Sequence, residues 1–283
     1  MFVSEKGCGK TSIASFVAKS LKKSFVVVNC ATLKDTEDFF KIINEHFFTK
    51  PFNSNGIAFE KRPSPATIIM DEASELPKDL TMALLTILNP NSEGKNVFWF
   101  NGKEYVFDFS KYSFFFATTE PQKVFHALMD RCERVDLEPY TMEDLGKIVQ
   151  KNVPVTIQRK ALIQIASVLR GNPRAAQKMA DTINNFVLNN KLSQFDSDNW
   201  QNLVNILGIL PLGVNNTEFQ ILKVLQENTV VKLGQLAAKL GLTATSIQKH
   251  FEHFLVRNRL IQITTDGRSL TEDGRAYIGS VSI

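Results

Sequence analysis

The feature that most constrains this chain is its opening stretch, Met1-Phe-Val-Ser-Glu-Lys-Gly-Cys-Gly-Lys-Thr-Ser12. Ser4 through Thr11 follow the phosphate-binding pattern G-x-x-x-x-G-K-[ST], with Ser4 in the place of the first glycine. Gly7 and Gly9 let consecutive backbone N–H groups, those of Cys8 and its neighbours through Ser12, turn toward one centre and approach phosphate oxygens closely. In such a loop the lysine, here Lys10, reaches the terminal phosphates and the hydroxyl, here Thr11, ligates Mg²⁺. The helix that follows aims its positive end at the anion. The pattern wants a strand before it, yet only three residues precede Ser4.

Hydropathy patterning extends the α/β reading. Ile13, Phe16, Val17 and Leu21 recur at helical spacing behind the loop. Phe25–Val28 reads as a buried strand and Thr36–Phe47 as a helix, while 48–66 is proline-bearing and loop-like. Thr67–Met70 is a second strand ending in Asp71-Glu72, and Phe114–Ala117 a third ending in Thr118-Thr119. Strands alternating with helices predict a parallel sheet with helices on both faces, and ligands collect at the carboxyl ends of its strands.

Residues 142–207 read as wholly helical, a small all-α lid, and Ile209–Gly213 as a linker. Beyond it lie three amphipathic helices (Glu218–Gln226, Leu233–Leu240, Ser246–Arg257) and two short strands (Leu260–Thr264, Arg268–Leu270) joined at Asp266-Gly267. Thr245 with Gln248 fits a capping box for the third helix. Three helices and a two-stranded wing make a winged helix-turn-helix. The predicted domains are therefore 1–141, an α/β core; 142–212, the helical lid; and 213–283, the winged helix.

Composition sets outer limits. The 283 residues, 43% apolar and 22% charged, suit a soluble globular chain of several domains. A net charge of +4 is too small to argue for a nucleic-acid partner by itself. Cys8, Cys30 and Cys132 lack metal-ligand spacing. With no leader-like start and no bilayer-length apolar run, a cytoplasmic, non-membrane protein is expected.

The acidic pair supplies what the phosphate loop lacks. One carboxylate at a strand end holds Mg²⁺ and the next polarises the attacking water, so Asp71 is assigned to the metal and Glu72 to the water. Thr118 or Thr119 ends the third strand, where a hydroxyl orients that water. Arg131, in Leu128-Met-Asp-Arg-Cys132, stands where an arginine reaches a neighbouring subunit's nucleotide. In Arg170-Gly-Asn-Pro-Arg174, Gly and Pro set the start of a lid helix and aim Arg174 back at the phosphates. The cofactors so implied are ATP and Mg²⁺.

Taken together, Gly7–Thr11, Asp71-Glu72, Ala117–Thr119, Asp130-Arg131 and Arg170–Arg174, followed by a winged helix, resemble the RuvB family of AAA+ motors that drive Holliday-junction branch migration. The resemblance implies Thr119 as first sensor, Arg131 as the finger acting in trans, Arg174 as second sensor, and a hexameric ring. Val97–Phe100, Asn101-Gly102 and Glu104–Phe107 stand where the family has its pre-sensor β-hairpin (near 97–107), used to dock a RuvA-like junction-binding protein. Phe98, Phe100 and Tyr105 are the candidate docking residues; packing of Phe98 and Phe100 on the core is the other reading. This sequence departs from the family in four ways. It has no adenine-holding segment before the loop, Ser4 replaces a glycine, Ala73-Ser74 replaces Ile-His, and Met129 replaces an Arg.

In a winged helix the third helix enters the major groove and the wing touches the backbone or minor groove. Lys249, Arg257 and Arg259 are the candidate DNA contacts on and beside that helix, and by resemblance Arg268 is the contact from the wing. Residues 216–283 hold eight Lys or Arg against six Asp or Glu, which fits sequence-independent phosphate contact better than base readout. The implied function is an ATP-driven translocase of branched or duplex DNA in recombination and repair. Asp130-Arg-Cys132 also suits a clamp-loader ATPase, and Ser4 with the short start suits an ATPase-silent DNA-binding adaptor.

Overall fold

The computed structural model describes residues 1–47, 65–89, 95–100, 103–109 and 111–281, with 95–100 and 103–108 described by their backbone. The chain divides into two compact units, Met1–Tyr140 with Asn172–Arg174, and Thr141–Gly171 with Ala175–Ile283. Elements of the first unit are β1 (Phe2–Val3), α1 (Lys10–Ser20), β2 (Ser24–Asn29), α2 (Thr36–Phe47), β3 (Ala66–Asp71), α3 (Lys78–Ile87), β4 (Lys95–Phe100), β5 (Lys103–Asp108), β6 (Tyr112–Thr118), α4 (His126–Met129) and β7 (Val135–Asp136).

Five of these strands form one parallel sheet in the order β2-β3-β6-β1-β7. The interior strand β3 is buried from Ala66 to Met70, the continuous apolar run expected of a strand covered on both faces. Ile68 and Met70 join the cluster built from Phe39, Phe40 and Ile43 of α2 and Leu80 and Leu84 of α3. Ile69 points to the opposite face by strand alternation, where α1 runs along β2, β3 and β6 on the small buried residues Ala14 and Ala18. At the edge, β2 alternates instead: Val26 and Val28 are buried while Val27 is 43% exposed.

The strand that the loop pattern wants before it is β1. Phe2 and Val3 pair with Ala117 and Thr118 on one side and with Val135 and Asp136 on the other. Two residues suffice because β6 and β7 satisfy both of their edges, with Val135 N donating to Met1 O and Leu137 N to Val3 O. The hairpin β4–β5 is antiparallel with Phe98 opposite Tyr105 and Phe100 opposite Lys103. Its Asn101-Gly102 turn, and the side chains of Phe98, Phe100 and Tyr105, lie outside the described residues, as does most of the loop at 48–66.

The second unit holds α5 (Met142–Asn152), β8 (Thr156–Ile157), α6 (Arg159–Ser167), most of α7 (Pro173–Asn190), β9 (Gln194–Phe195) and α8 (Ser197–Leu207). The expectation of an unbroken helical lid is corrected by β8 and β9, a short parallel clip joining two loops. The winged helix follows as α9 (Asn216–Glu227), α10 (Leu233–Leu240), α11 (Ala244–Ile247), a π-helical turn (Gln248–Glu252), α12 (His253–Arg257), β10 (Ile261–Ile263), β11 (Arg268–Leu270) and α13 (Glu272–Val281). Its third helix is capped by Thr243, whose hydroxyl accepts from Ser246 N, so the expected Thr245 box is displaced by two residues. In the wing, Thr264 and Gly267 bond each other in both directions, which puts Thr265-Asp266 at the centre of the turn. Gly267 is required just after it, because a Cβ there would lie 2.5 Å from Val231 O.

The segment expected as a linker is pinned at three points. Tyr277 donates to Pro211 O at 2.9 Å, and burial pushes its phenol up to about 12. Gly213, at φ +71°, lies so close to Val168 that a Cβ would sit 2.2 Å from its carbonyl oxygen. The guanidinium of Arg170 donates to Gly213 O and to both carboxylate oxygens of Glu218, whose residue is fully buried. Removing one partner of such a pair typically costs about 3–5 kcal/mol.

A packing prediction follows from two helical glycines. A Cβ on Gly274 would lie 2.0 Å from Leu260 O, whereas one on Gly234 meets nothing within 4 Å. Gly274→Ala is expected to destabilise the winged helix by about 1–3 kcal/mol. Gly234→Ala should stabilise it by about 0.4–1 kcal/mol. Denaturant titration of the two variants measures both signs.

Candidate functional site

The site assembles at the carboxyl ends of β1, β6 and β3, three neighbouring strands. The loop leaving β1 turns at Gly7 and Gly9, with φ of 89° and 85°, a conformation costly for any residue with a Cβ. Gly9 is the N-cap of α1, and its carbonyl accepts from Ile13 N at 2.8 Å. Cys8 is buried between the two glycines, and burial raises its thiol pKa. Ser12, one residue into the helix beyond Thr11, is exposed.

Lys10 is 8% exposed, with its ammonium donating to Ser4 O at 3.0 Å, Glu5 O at 3.1 Å and Ser4 Oγ at 3.3 Å. The serine that departs from the loop pattern thus supplies two of the oxygens that hold the lysine. Burial lowers the Lys10 pKa, while Cys8, Asp71 and Glu72 act in the opposite direction and Arg174 adds to the lowering. The lysine therefore shares an electrostatic field with both carboxylates of the acidic pair and with Arg174.

Thr11 Oγ1 donates to Asp71 Oδ2 at 2.8 Å, joining the first turn of α1 to the end of β3. Asp71 Oδ1 accepts from Glu72 N at 3.1 Å. Glu72 itself sits in the left-handed region, φ 56° and ψ 47°, at the head of a single 3₁₀ turn (Ala73–Glu75). A non-glycine residue there costs about 1–2 kcal/mol, and such strain concentrates at functional sites. Thr118 is buried and its hydroxyl accepts from Glu120 N at 3.0 Å; Thr119 lies one residue beyond the strand and is half-buried.

The segment Asn172–Arg174 belongs to this same unit. Asn172 Nδ2 donates to Lys6 O at 3.2 Å, and its Oδ1 accepts from Arg174 N at 2.9 Å. Its side chain lies so near Gly7 that a Cβ on that glycine would come within 2.5 Å of Asn172 Oδ1. Asn172 and Ser4 were missed as site residues. The signal was present in Asn172-Pro173, an N-cap side chain before an N1 proline, which marks a helix start but not what else the cap touches. Arg131 is exposed, with Nε donating to Asn89 Oδ1 at 2.9 Å and Nη1 to Ala127 O at 2.6 Å.

In the winged helix, Lys249, Arg257 and Arg259 are exposed, on and just past the third helix. Arg268 stands differently from the expectation of an open wing contact. Its Nε and Nη2 bond Glu252 Oε1 at 2.7 Å and Oε2 at 3.1 Å, and the two side chains are 12% and 6% exposed. The π turn ends at Glu252 and holds it inward, so Arg268 ties the wing to the third helix.

A parallel sheet with a phosphate loop, a hydroxyl–carboxylate pair at a strand end and a following glutamate is the arrangement of a phosphate-loop nucleoside triphosphatase. Residues 1–140 match the family model for the ATPase family associated with various cellular activities, and 211–279 match that of the RuvB C-terminal winged helix domain. The Holliday junction branch migration complex subunit RuvB of Mycoplasmopsis pulmonis is 24% identical, over 98% of this chain and 86% of that protein. The RuvB subunit of Campylobacter hominis is 22% identical, over 99% and 79%. The structure of the Thermotoga maritima RuvB branch migration motor superposes with a TM-score of 0.73 at 21% identity, over 98% of this chain and 86% of that one. The chain belongs to the RuvB-like AAA+ ATPases.

Glu72→Gly and Glu72→Ala both remove the carboxylate and should both abolish hydrolysis. Because only the alanine keeps a Cβ at φ 56°, the glycine variant should be the more stable by about 1 kcal/mol. Parallel ATPase assays and thermal melts check both halves.

Proposed function

We propose that this chain is an ATP-driven DNA motor of the RuvB kind, moving branched or duplex DNA during recombination and repair in the cytoplasm. The observation that carries the proposal is the gathering of Lys10, Thr11, Asp71, Glu72 and Arg174 in one unit, in a chain that ends in a RuvB-type winged helix. The relatives' printed names supply the branch-migration substrate.

The residues fit nucleotide and Mg²⁺. A threonine hydroxyl and a carboxylate oxygen 2.8 Å apart are two hard oxygen ligands already facing each other. Held there by Thr11 and Asp71, Mg²⁺ would neutralise charge on the phosphate oxygens. Lys10, now bonded to carbonyl and hydroxyl oxygens, is a compact cation that exchanges them for phosphate oxygens. Glu72 accepts the proton of the attacking water, Thr119 orients that water, and Arg174 offsets developing charge. Arg131, fixed at the surface by Asn89 and Ala127, completes the site of the next subunit in a hexameric ring. A RuvA-like protein docks on the β4–β5 hairpin, and Lys249, Arg257 and Arg259 hold DNA phosphates.

Two outcomes test the reading. ATP turnover by the purified chain should rise on adding branched DNA and vanish in Lys10→Ala; absence of turnover with intact DNA binding would instead identify an adaptor. Arg131→Ala should bind nucleotide normally while hydrolysis falls on the order of a thousandfold. Mixing Arg131→Ala with Lys10→Ala subunits should restore part of it, because each variant supplies what its neighbour lacks. No recovery on mixing would remove the trans role.

A further inference from the structure

We infer that Arg170 is a positioning residue that locks the lid to the winged helix, so that the DNA-facing helix moves with the lid. The inference rests on the motor reading and adds to it the residue through which motion passes.

Arg170 stands outside the nucleotide machinery. It belongs to the second unit, whereas Asn172, two residues on, belongs to the first and touches the phosphate loop at Lys6 O. The backbone between them is set by two consecutive left-handed residues, Arg170 at φ 55° and Gly171 at φ 72°. A non-glycine residue keeps that conformation only where its surroundings over-determine it, and here the side chain does so.

The guanidinium engages three parts of the winged helix at once. Nη1 donates to Glu218 Oε1 at 3.0 Å, and Nη2 donates to Glu218 Oε2 and to Gly213 O. Its plane lies over the ring of Phe254, 3.5 Å from the centroid. Glu218 is the third residue of α9 and also closes the capping box with Asn215, so the same carboxylate caps that helix and holds the arginine. Phe254 belongs to α12, the continuation of the recognition helix that exposes Lys249 on its preceding π turn and Arg257 near its end. Two residues along, Glu252 holds Arg268 of the wing.

The recognition helix is therefore gripped from two sides, by the wing through Glu252 and by the lid through Phe254. Lysine cannot replace Arg170, because an ammonium has neither the planar fork for the carboxylate nor the face for the ring. The tight Gly213–Val168 approach and the Tyr277–Pro211 bond stiffen the same joint.

The test uses the full chain with spin labels at two exposed positions, Leu188→Cys in the lid and Glu227→Cys in the winged helix, in a Cys132→Ser background. In the parent the inter-label distance distribution should be narrow. It should broaden in Arg170→Lys and in Phe254→Leu, while thermal melts show both still folded. A narrow distribution in folded variants would overturn the strut. This readout needs neither turnover nor DNA, so it decides the joint even if the motor reading fails. In turnover assays both variants should keep basal ATP hydrolysis and fluorescent-nucleotide affinity, while the DNA-stimulated increment falls about tenfold. Full stimulation in a variant with a broadened distribution would overturn the coupling role, as would a parallel fall in basal rate.

Discussion

The hydrogen bond from Thr11 to Asp71 spans sixty residues of sequence and depends on the sheet beneath it. Thr11 opens the helix behind β1 and Asp71 closes β3, and both strands flank β6 in one parallel register. All the chemistry above that line inherits its positions from this arrangement. Lys10 precedes Thr11 on the same turn, Glu72 follows Asp71, and Thr118 ends the strand between. Within the sheet, Phe2 and Val3 of β1 hold the loop in place through pairing with β6 on one side and β7 on the other.

Ser4 gains meaning in that setting. A glycine at the first position of the loop supplies a turn and a carbonyl, whereas Ser4 adds a hydroxyl that lies 3.3 Å from the Lys10 ammonium. The substitution adds a third oxygen to the acceptor set around the buried lysine. The departure from the loop pattern therefore adjusts how Lys10 is held and leaves its direction intact.

What the sequence made legible was the part written in local pattern. The glycines of the loop, the apolar run of β3, the acidic pair at its end and the helices of the wing all follow from short-range rules, and the structure carries each. What stayed hidden depends on partners distant in sequence. Nothing near Arg268 announces Glu252, and nothing near Arg170 announces Glu218 and Phe254, so both arginines read as free cations or motif residues. The Thr243 cap was missed for a local reason: Thr243 and Thr245 are the same residue type two positions apart, and either can open a helix. The linker at 209–213 looked loose because Pro and Gly commonly mark loose chain, whereas here Gly213 is needed for close backbone approach to Val168.

The withdrawal of Arg268 into a nearly buried pair bears on the proposed grip of the winged helix on DNA. Its charge is matched by Glu252, and in the proposed motor the exposed Lys249, Arg257 and Arg259 of the third helix and its end are the cations that would meet the phosphates. Three such contacts would give a salt-sensitive hold with a log–log slope of about −3, much shallower than that of a dedicated repressor. Weak individual holds would suit the proposed ring, because several copies on one duplex would gain avidity while each subunit could still release within a cycle. A joint stiffened at Arg170 suits the same economy, since a weak grip transmits force only where the helix that makes it is held firmly from behind.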